Sequence, residues 1–145
     1  KLAHAHHLRL IVAPGLDLVI HGPHSWLPRW QQFLNRRLAA SLARAADGIE
    51  LQAQSLERNA ADYARFVRAA AQQARAAKPG ITVLAGLSTN PPGRQVASWQ
   101  LAKAANAARS LVSGYWLNIP GRGAQCPNCH NTKVYVGVHM LLEVL

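Results

Sequence analysis

Apolar residues along this chain follow two alternating spacings. Residues 8–18 read Leu-Arg-Leu-Ile-Val-Ala-Pro-Gly-Leu-Asp-Leu, a β-rich run that Pro14-Gly15 ends or bends. Trp26, Trp30, Leu34, Leu38 and Leu42 then recur every four residues, with Leu27 and Phe33 beside them. That spacing predicts an amphipathic helix over 26–46, with Ser25 placed to cap it and Pro28 suited to its first turn. A short strand is predicted over 48–54. Asn59 reads as the next N-cap, with Asp62 in the capping-box position. Tyr63, Phe66, Val67, Ala70 and Ala74 form the buried stripe of this second helix, which Lys78-Pro79-Gly80 stops. A third strand is predicted over 81–87. A helix over 95–112 buries Leu101, Ala104, Ala105, Ala108 and Leu111, and a fourth strand covers 114–119. Residues 120–131 form a Gly-rich loop, and 134–145 a final short helix.

Four strands alternating with helices of this length predict right-handed βαβ crossovers and a parallel sheet. The fold class is therefore α/β, as four βα units. They form either half of a (β/α)8 barrel or an open α/β sheet. No G-x-G-x-x-G follows the first strand, and no G-x-x-x-x-G-K-[ST] occurs, which argues against the nucleotide-binding doubly wound folds. Lys1-Leu2-Ala3-His4-Ala5-His6-His7 reads as the last turn of a helix running into the first strand. A whole barrel needs about 250 residues, so the 145 residues here predict a single α/β domain that is half of such a barrel or a fragment of one. Pairing with a second copy would complete the sheet.

The predicted second strand is not apolar throughout. Ile49, Leu51 and Ala53 share one face, and Glu50, Gln52 and Gln54 the other. Burying a polar side chain without a partner costs about 1–3 kcal/mol, so this row belongs either at the mouth of a site or on a half-exposed edge. Asp17 ends the first predicted strand, Asn90 follows the third, and Trp116 and Asn118 lie on one face of the fourth. Because parallel α/β folds build their sites from the loops after the strands, these residues are expected to converge. Amides beside an aromatic platform suit a carbohydrate. Asp17 and Glu50 are the candidate catalytic carboxyls of a glycosidase, whose pair stands about 5–9 Å apart. His21 and His24, in the loop after the first strand, are candidate acid–base or binding groups.

Asp47-Gly48-Ile49-Glu50-Leu51-Gln52, the Tyr63-to-Val67 helix, Val83-Leu84-Ala85-Gly86-Leu87-Ser88-Thr89 and Gly114-Tyr115-Trp116-Leu117-Asn118-Ile119 resemble segments of uncharacterised actinobacterial (β/α)-barrel proteins, usually extracellular. They are similar in organisation to the C-terminal half of glycoside-hydrolase barrels. The resemblance covers most of the chain. It implies a barrel-type fold, an extracellular setting and carbohydrate processing or binding. It carries no catalytic signature, since the D-x-x-D-x-D-x-E strand motif of one chitinase-like group is absent. A non-enzymatic binding or assembly module is the alternative.

Charge changes this picture little. Sixteen Lys and Arg against six Asp and Glu give +10, which raises the prospect of a polyanionic partner. Yet the twelve Arg are dispersed, no run of five basic residues occurs, and no nucleic-acid-binding motif is present, so solvated helix faces are expected. No apolar stretch approaches the roughly 18 residues of a membrane span.

Cys126-Pro127-Asn128-Cys129-His130 leaves several chemistries open. As C-x-x-C-H it matches c-type haem attachment, with His130 as axial ligand. Cys126, Cys129 and His130, with His139, could also hold zinc, though the second spaced pair of a usual zinc site is missing. A thioredoxin-like motif would open a helix after the first strand, whereas this one follows the fourth. A local disulfide or two reduced thiols is the simplest reading, so no cofactor is expected. His4, His6 and His7 suit the C-terminal end of a helix dipole.

Overall fold

The computed structural model describes residues 2–19, 26–88 and 96–118. The strands β1 (Ile11–Val12), β2 (Gly48–Leu51), β3 (Thr82–Ser88) and β4 (Gly114–Asn118) form one all-parallel sheet in chain order, β1-β2-β3-β4. Every described strand neighbours its successor, and the order never reverses. A doubly wound sheet reverses its order at a switch point; the described strands contain none, an order compatible with four βα units of a barrel or with an open α/β sheet. Right-handed crossovers that all advance in one direction place their helices on the same face of the sheet. Those helices are α2 (Arg29–Asn35), α3 (Leu38–Ala43), α4 (Ala60–Ala77) and α5 (Ser98–Ala108). A short α1 (Leu2–Ala5) precedes β1, as the histidine-rich start predicts.

The α4 signals act as read. Asn59 Oδ1 accepts from the Ala61 and Asp62 N–H groups, both at 3.2 Å, and its Nδ2 donates to Asp62 at 2.7 Å. Gly80, at φ +79°, takes the left-handed conformation that follows the helix. Three expected elements are shorter than the pattern predicts. The helix expected over 95–112 is α5 followed by a 3-10 turn, Arg109–Leu111, with Leu111 only half-buried. The strand expected over 8–18 shrinks to Ile11–Val12. Pro14 offers no ladder N–H, and Asp17 lies not at a strand end but in a 3-10 turn, Leu16–Leu18. The strand expected over 48–54 stops at Leu51, where the chain tightens so that the Ala53 N–H meets the Leu51 carbonyl at 2.9 Å.

The four-residue repeat from Trp26 to Leu42 predicts one helix, but the structure has two. Between them Arg37 is left-handed, at φ 53°. In an unbroken helix the Leu34 carbonyl would accept the Leu38 N–H. Here it accepts the Arg37 N–H and the Gln73 side-chain amide of α4, both at 2.9 Å. A neighbouring helix thus replaces the intrahelical bond. Pro28 is the N-cap of α2 rather than a first-turn residue, and Ser25 lies outside the described residues.

Alternation and register divide the sheet into two faces. Ile49, Leu51, Val83, Ala85 and Leu87 face the helices and are fully buried. Against them pack Tyr63, Phe66 and Val67 of α4 and Leu101 of α5. The Phe33 and Phe66 rings meet edge-to-face at 5.6 Å. Alanine lines the helix contacts: Ala39, Ala40 and Ala43, Ala70, Ala71 and Ala74, then Ala104, Ala105 and Ala108, all buried. Such small side chains let adjacent helices approach closely, and each larger apolar residue contributes about 1.5–3 kcal/mol by leaving water. The opposite face carries Ile11, Gly48, Glu50, Leu84, Gly86, Ser88, Gly114, Trp116 and Asn118.

Candidate functional site

The chemistry-bearing residues gather at the C-terminal ends of β2 and β3, with Glu50 on the sheet face away from the helices. Glu50 is the centre. It pairs in register with Leu84 of β3 and is only 1% exposed. Its Oε2 accepts from Gln52 Nε2 at 3.2 Å, while its Oε1 has no hydrogen-bond partner. That oxygen lies directly against Gly86, one β-step further along β3. Any Cβ at position 86 would collide with Glu50 Oε1, and would sit 2.9 Å from Gln54 Nε2 and 3.1 Å from the Leu51 carbonyl. Gly86 is therefore the floor on which the Glu50 carboxyl and the Gln54 amide rest. The Tyr63 hydroxyl, from the first turn of α4, holds this floor by donating to the Gly86 carbonyl at 3.0 Å.

The polar row read from alternation is thus assembled differently. Glu50 projects from β2, but Gln54 reaches the site from a 3-10 turn, Gln54–Leu56, after β2 has ended. The turn also delivers a group that the sequence pattern does not mark. Glu57, 1% exposed, accepts the Ser88 N–H through Oε1, and its Oε2 has no partner. Ser88 is the last residue of β3, so Glu57 ties the chain after β2 to the end of the neighbouring strand. In sequence Glu57 stands beside Arg58 and Asn59 and reads as a surface charge. The one available signal was its place three residues after Gln54, inside a segment carrying polar side chains to one end of the sheet.

Burial dominates the electrostatics. Desolvation raises the Glu50 carboxyl above its ordinary range, opposed by the Gln52 hydrogen bond. It pushes Glu57 up to about 9 against the opposing Ser88 N–H. Tyr63 is raised as well, first by burial and then by the negative potential of Glu57, Tyr115 and Glu50. Tyr115, raised by burial, donates to the Ala105 carbonyl on the helix side. No cation is paired with Glu50 or Glu57 among the described residues.

On β4, Trp116 is the register partner of Gly86 and is 53% exposed. Asn118, also exposed, is the partner of Ser88. The structure brings Glu50, Gln52 and Gln54 together and places Trp116 and Asn118 on β4, the strand beside β3. The backbone of Asp17 lies in the turn after β1. His21, His24 and Asn90 fall outside the described residues, as do Cys126, Cys129, His130 and His139 with their haem, zinc and disulfide readings. Among the described residues no group of three or more His, Cys, Asp or Glu could hold a metal ion, and no helix is long and apolar enough to cross a membrane.

The arrangement offers the Gln52 and Gln54 amides and the buried Glu50 carboxyl beside an exposed aromatic ring. Such a surface suits an oxygen-rich ligand with an apolar face. The chain matches no protein-family model, no curated protein and no solved structure.

Proposed function

We propose that this chain binds carbohydrate at the C-terminal ends of β2, β3 and β4, in the manner expected of an extracellular (β/α)-type carbohydrate-processing protein. The observation that carries this reading is the half-exposed Trp116 in register beside Gly86, on which Glu50 and Gln54 rest. A sugar presents apolar C–H faces ringed by hydroxyls. A tryptophan face takes the former, and the Gln52, Gln54 and Asn118 amides take the latter. Glycoside hydrolysis, with Glu50 as one carboxyl and Asp17 as the other, is the reaction this reading would support.

A second reading, a binding module without turnover, is favoured by one feature. Glu50 and Glu57 are both almost fully buried, so neither presents its carboxyl freely to solvent as a nucleophile. Titration calorimetry against a panel of soluble neutral oligosaccharides, together with an assay for released reducing ends, tests both. Trp116→Ala is expected to weaken binding at least tenfold, about 1.4 kcal/mol. Reducing ends that vanish in Glu50→Gln support hydrolysis, and binding without release supports the module. Affinity indifferent to Trp116→Ala, or no binding across the panel at millimolar concentration, overturns the carbohydrate reading.

A further inference from the structure

We infer that the outer face of the helix layer, on α4 and α5, is a second binding surface, and that its partner is a linear acidic polysaccharide. This surface stands apart from the strand-end site and does not rest on it.

The sixteen cations are dispersed along the chain, and the fold gathers several of them. On α4, Arg65, Arg68, Gln72 and Arg75 stand at i, i+3, i+7 and i+10, opposite the buried stripe of that helix. All four are exposed, and their row runs about 15 Å along the helix. On α5, Trp99, Lys103 and Asn106 stand at i, i+4 and i+7 on the exposed side, and Trp99 is 65% exposed. The two helices are neighbours. Axes of packed helices stand about 8–10 Å apart, so the two rows run side by side. Arg75 Nη1 donates to the Leu111 carbonyl, just past α5, at 2.8 Å. That bond uses one of the five guanidinium donors and holds the group toward α5, leaving the others for an anion.

Little negative charge opposes these rows. α5 contains no acidic residue, and α4 contains one, Asp62, which meets Arg65 at 3.3 Å. Of the five other acids in the sequence, Glu50 and Glu57 are buried, and Asp47 is held by His4 and Lys78 at the N-terminal ends of the strands. Asp17 belongs to the turn after β1, and Glu143 lies outside the described residues.

Guanidinium groups pair with carboxylate and phosphate alike, so shape and apolar content decide the occupant. A duplex is read by an element that enters a groove, whereas α4 and α5 lie with their buried stripes against the sheet. A single nucleic-acid strand stacks successive bases on several aromatic rings, and the exposed faces of α4 and α5 carry one, Trp99. A bilayer takes up an apolar helix face, and the α4 row is Arg, Arg, Gln and Arg. A uronic-acid chain matches this surface. Its carboxylates meet the cations, and the C–H face of one sugar ring rests on Trp99.

Titration calorimetry of the full chain with a galacturonic-acid decamer tests this, in about 20 mM salt, where exposed charges are little screened. Binding is expected, weakening as salt rises to about 200 mM, and the methyl-esterified decamer is expected not to bind. Arg68→Gln combined with Lys103→Gln should weaken binding about tenfold, as the loss of two exposed charge contacts. Trp99→Ala should weaken it about threefold without changing the response to salt. Arg9→Gln, which removes a cation beside β1, and Trp116→Ala at the strand-end site should each change it by less than about twofold. No binding of the decamer at millimolar concentration, equal binding of its methyl ester, or the same loss in Arg9→Gln as in Arg68→Gln alone overturns the surface. An oligothymidylate of equal charge, or vesicles of phosphatidylglycerol and phosphatidylcholine, bound more tightly than the decamer overturns the polysaccharide as its occupant.

Discussion

The Glu57 carboxyl joins the turn after β2 to the last residue of β3, and its protonation state decides how well that junction holds. Its folded value of about 9 lies far above the ordinary 4.5. A carboxyl that takes up a proton more readily when folded stabilises the fold most below its unfolded value. That contribution is lost as pH rises toward the folded value. Between pH 4.5 and about 9 the unfolding free energy is therefore expected to fall, by at most about 1.4 kcal/mol per pH unit for this one group. Glu50, raised by the same cause, acts in the same direction. Glu57→Gln keeps an acceptor for the Ser88 N–H and cannot ionise, so it should remove the Glu57 share of the slope. Urea unfolding of both forms at pH 5, 7 and 9 checks this, and an unchanged slope in the variant would refute the assignment.

At the scale of elements, two helix starts contrast. Asn59 caps α4 by accepting two backbone N–H groups, and Asn59→Ala is expected to cost about 1 kcal/mol. Arg37 precedes α3 in the left-handed region with no side-chain cap bond, and it is exposed. A non-glycine residue there costs about 1–2 kcal/mol, partly offset by the entropy glycine loses on folding. Arg37→Gly should therefore raise stability by up to about 1 kcal/mol, measured as a higher urea midpoint with an unchanged slope. The α4 cap was legible in the sequence because its partners lie within three residues. The break before α3 was not. The Leu34–Leu38–Leu42 repeat is helical in spacing throughout, and what interrupts it is Gln73, a side chain from another helix.

The whole molecule separates stability from chemistry along the strand axis. At the N-terminal ends of the strands, Asp47 accepts the Leu10 N–H at 2.9 Å, meets His4 Nε2 at 2.7 Å and meets Lys78 Nζ at 3.3 Å. One carboxylate thus fastens α1 and β1 to β2 and to the end of α4. The Leu10 N–H and then His4 hold it well below the usual carboxylate range, with Lys78 adding to the effect and burial opposing it. A lowered value reverses the sign seen at Glu57. The contribution is present above the ordinary 3.8 and is lost as pH falls through the folded value. Asp47→Ala should speed hydrogen exchange at residues 10–12 while leaving protection at Ser88 unchanged. Equal loss at both places would mean that the two ends are one cooperative unit. The site lies at the other end, where Gln52, Gln54 and Glu57 follow β2 and Ser88 ends β3, rather than a lattice of ion pairs.

Local order was available from the sequence. The alternation of strands and helices, the α4 stripe of Tyr63, Phe66, Val67, Ala70 and Ala74, the stop at Lys78-Pro79-Gly80 and the presence of a polar cluster around Glu50 all follow from residues close together in the chain. Periodicity encodes which face of an element is apolar, and the core then forms where those faces meet. The tertiary structure alone decided which polar groups meet. Gln54 arrives by a turn rather than by strand alternation, Glu57 is buried because that turn folds it beneath the end of β3, and Gly86 matters because Glu50 lies across it from the neighbouring strand. Each of these contacts joins positions distant in sequence, and only the pairing of β2 with β3 brings them within reach.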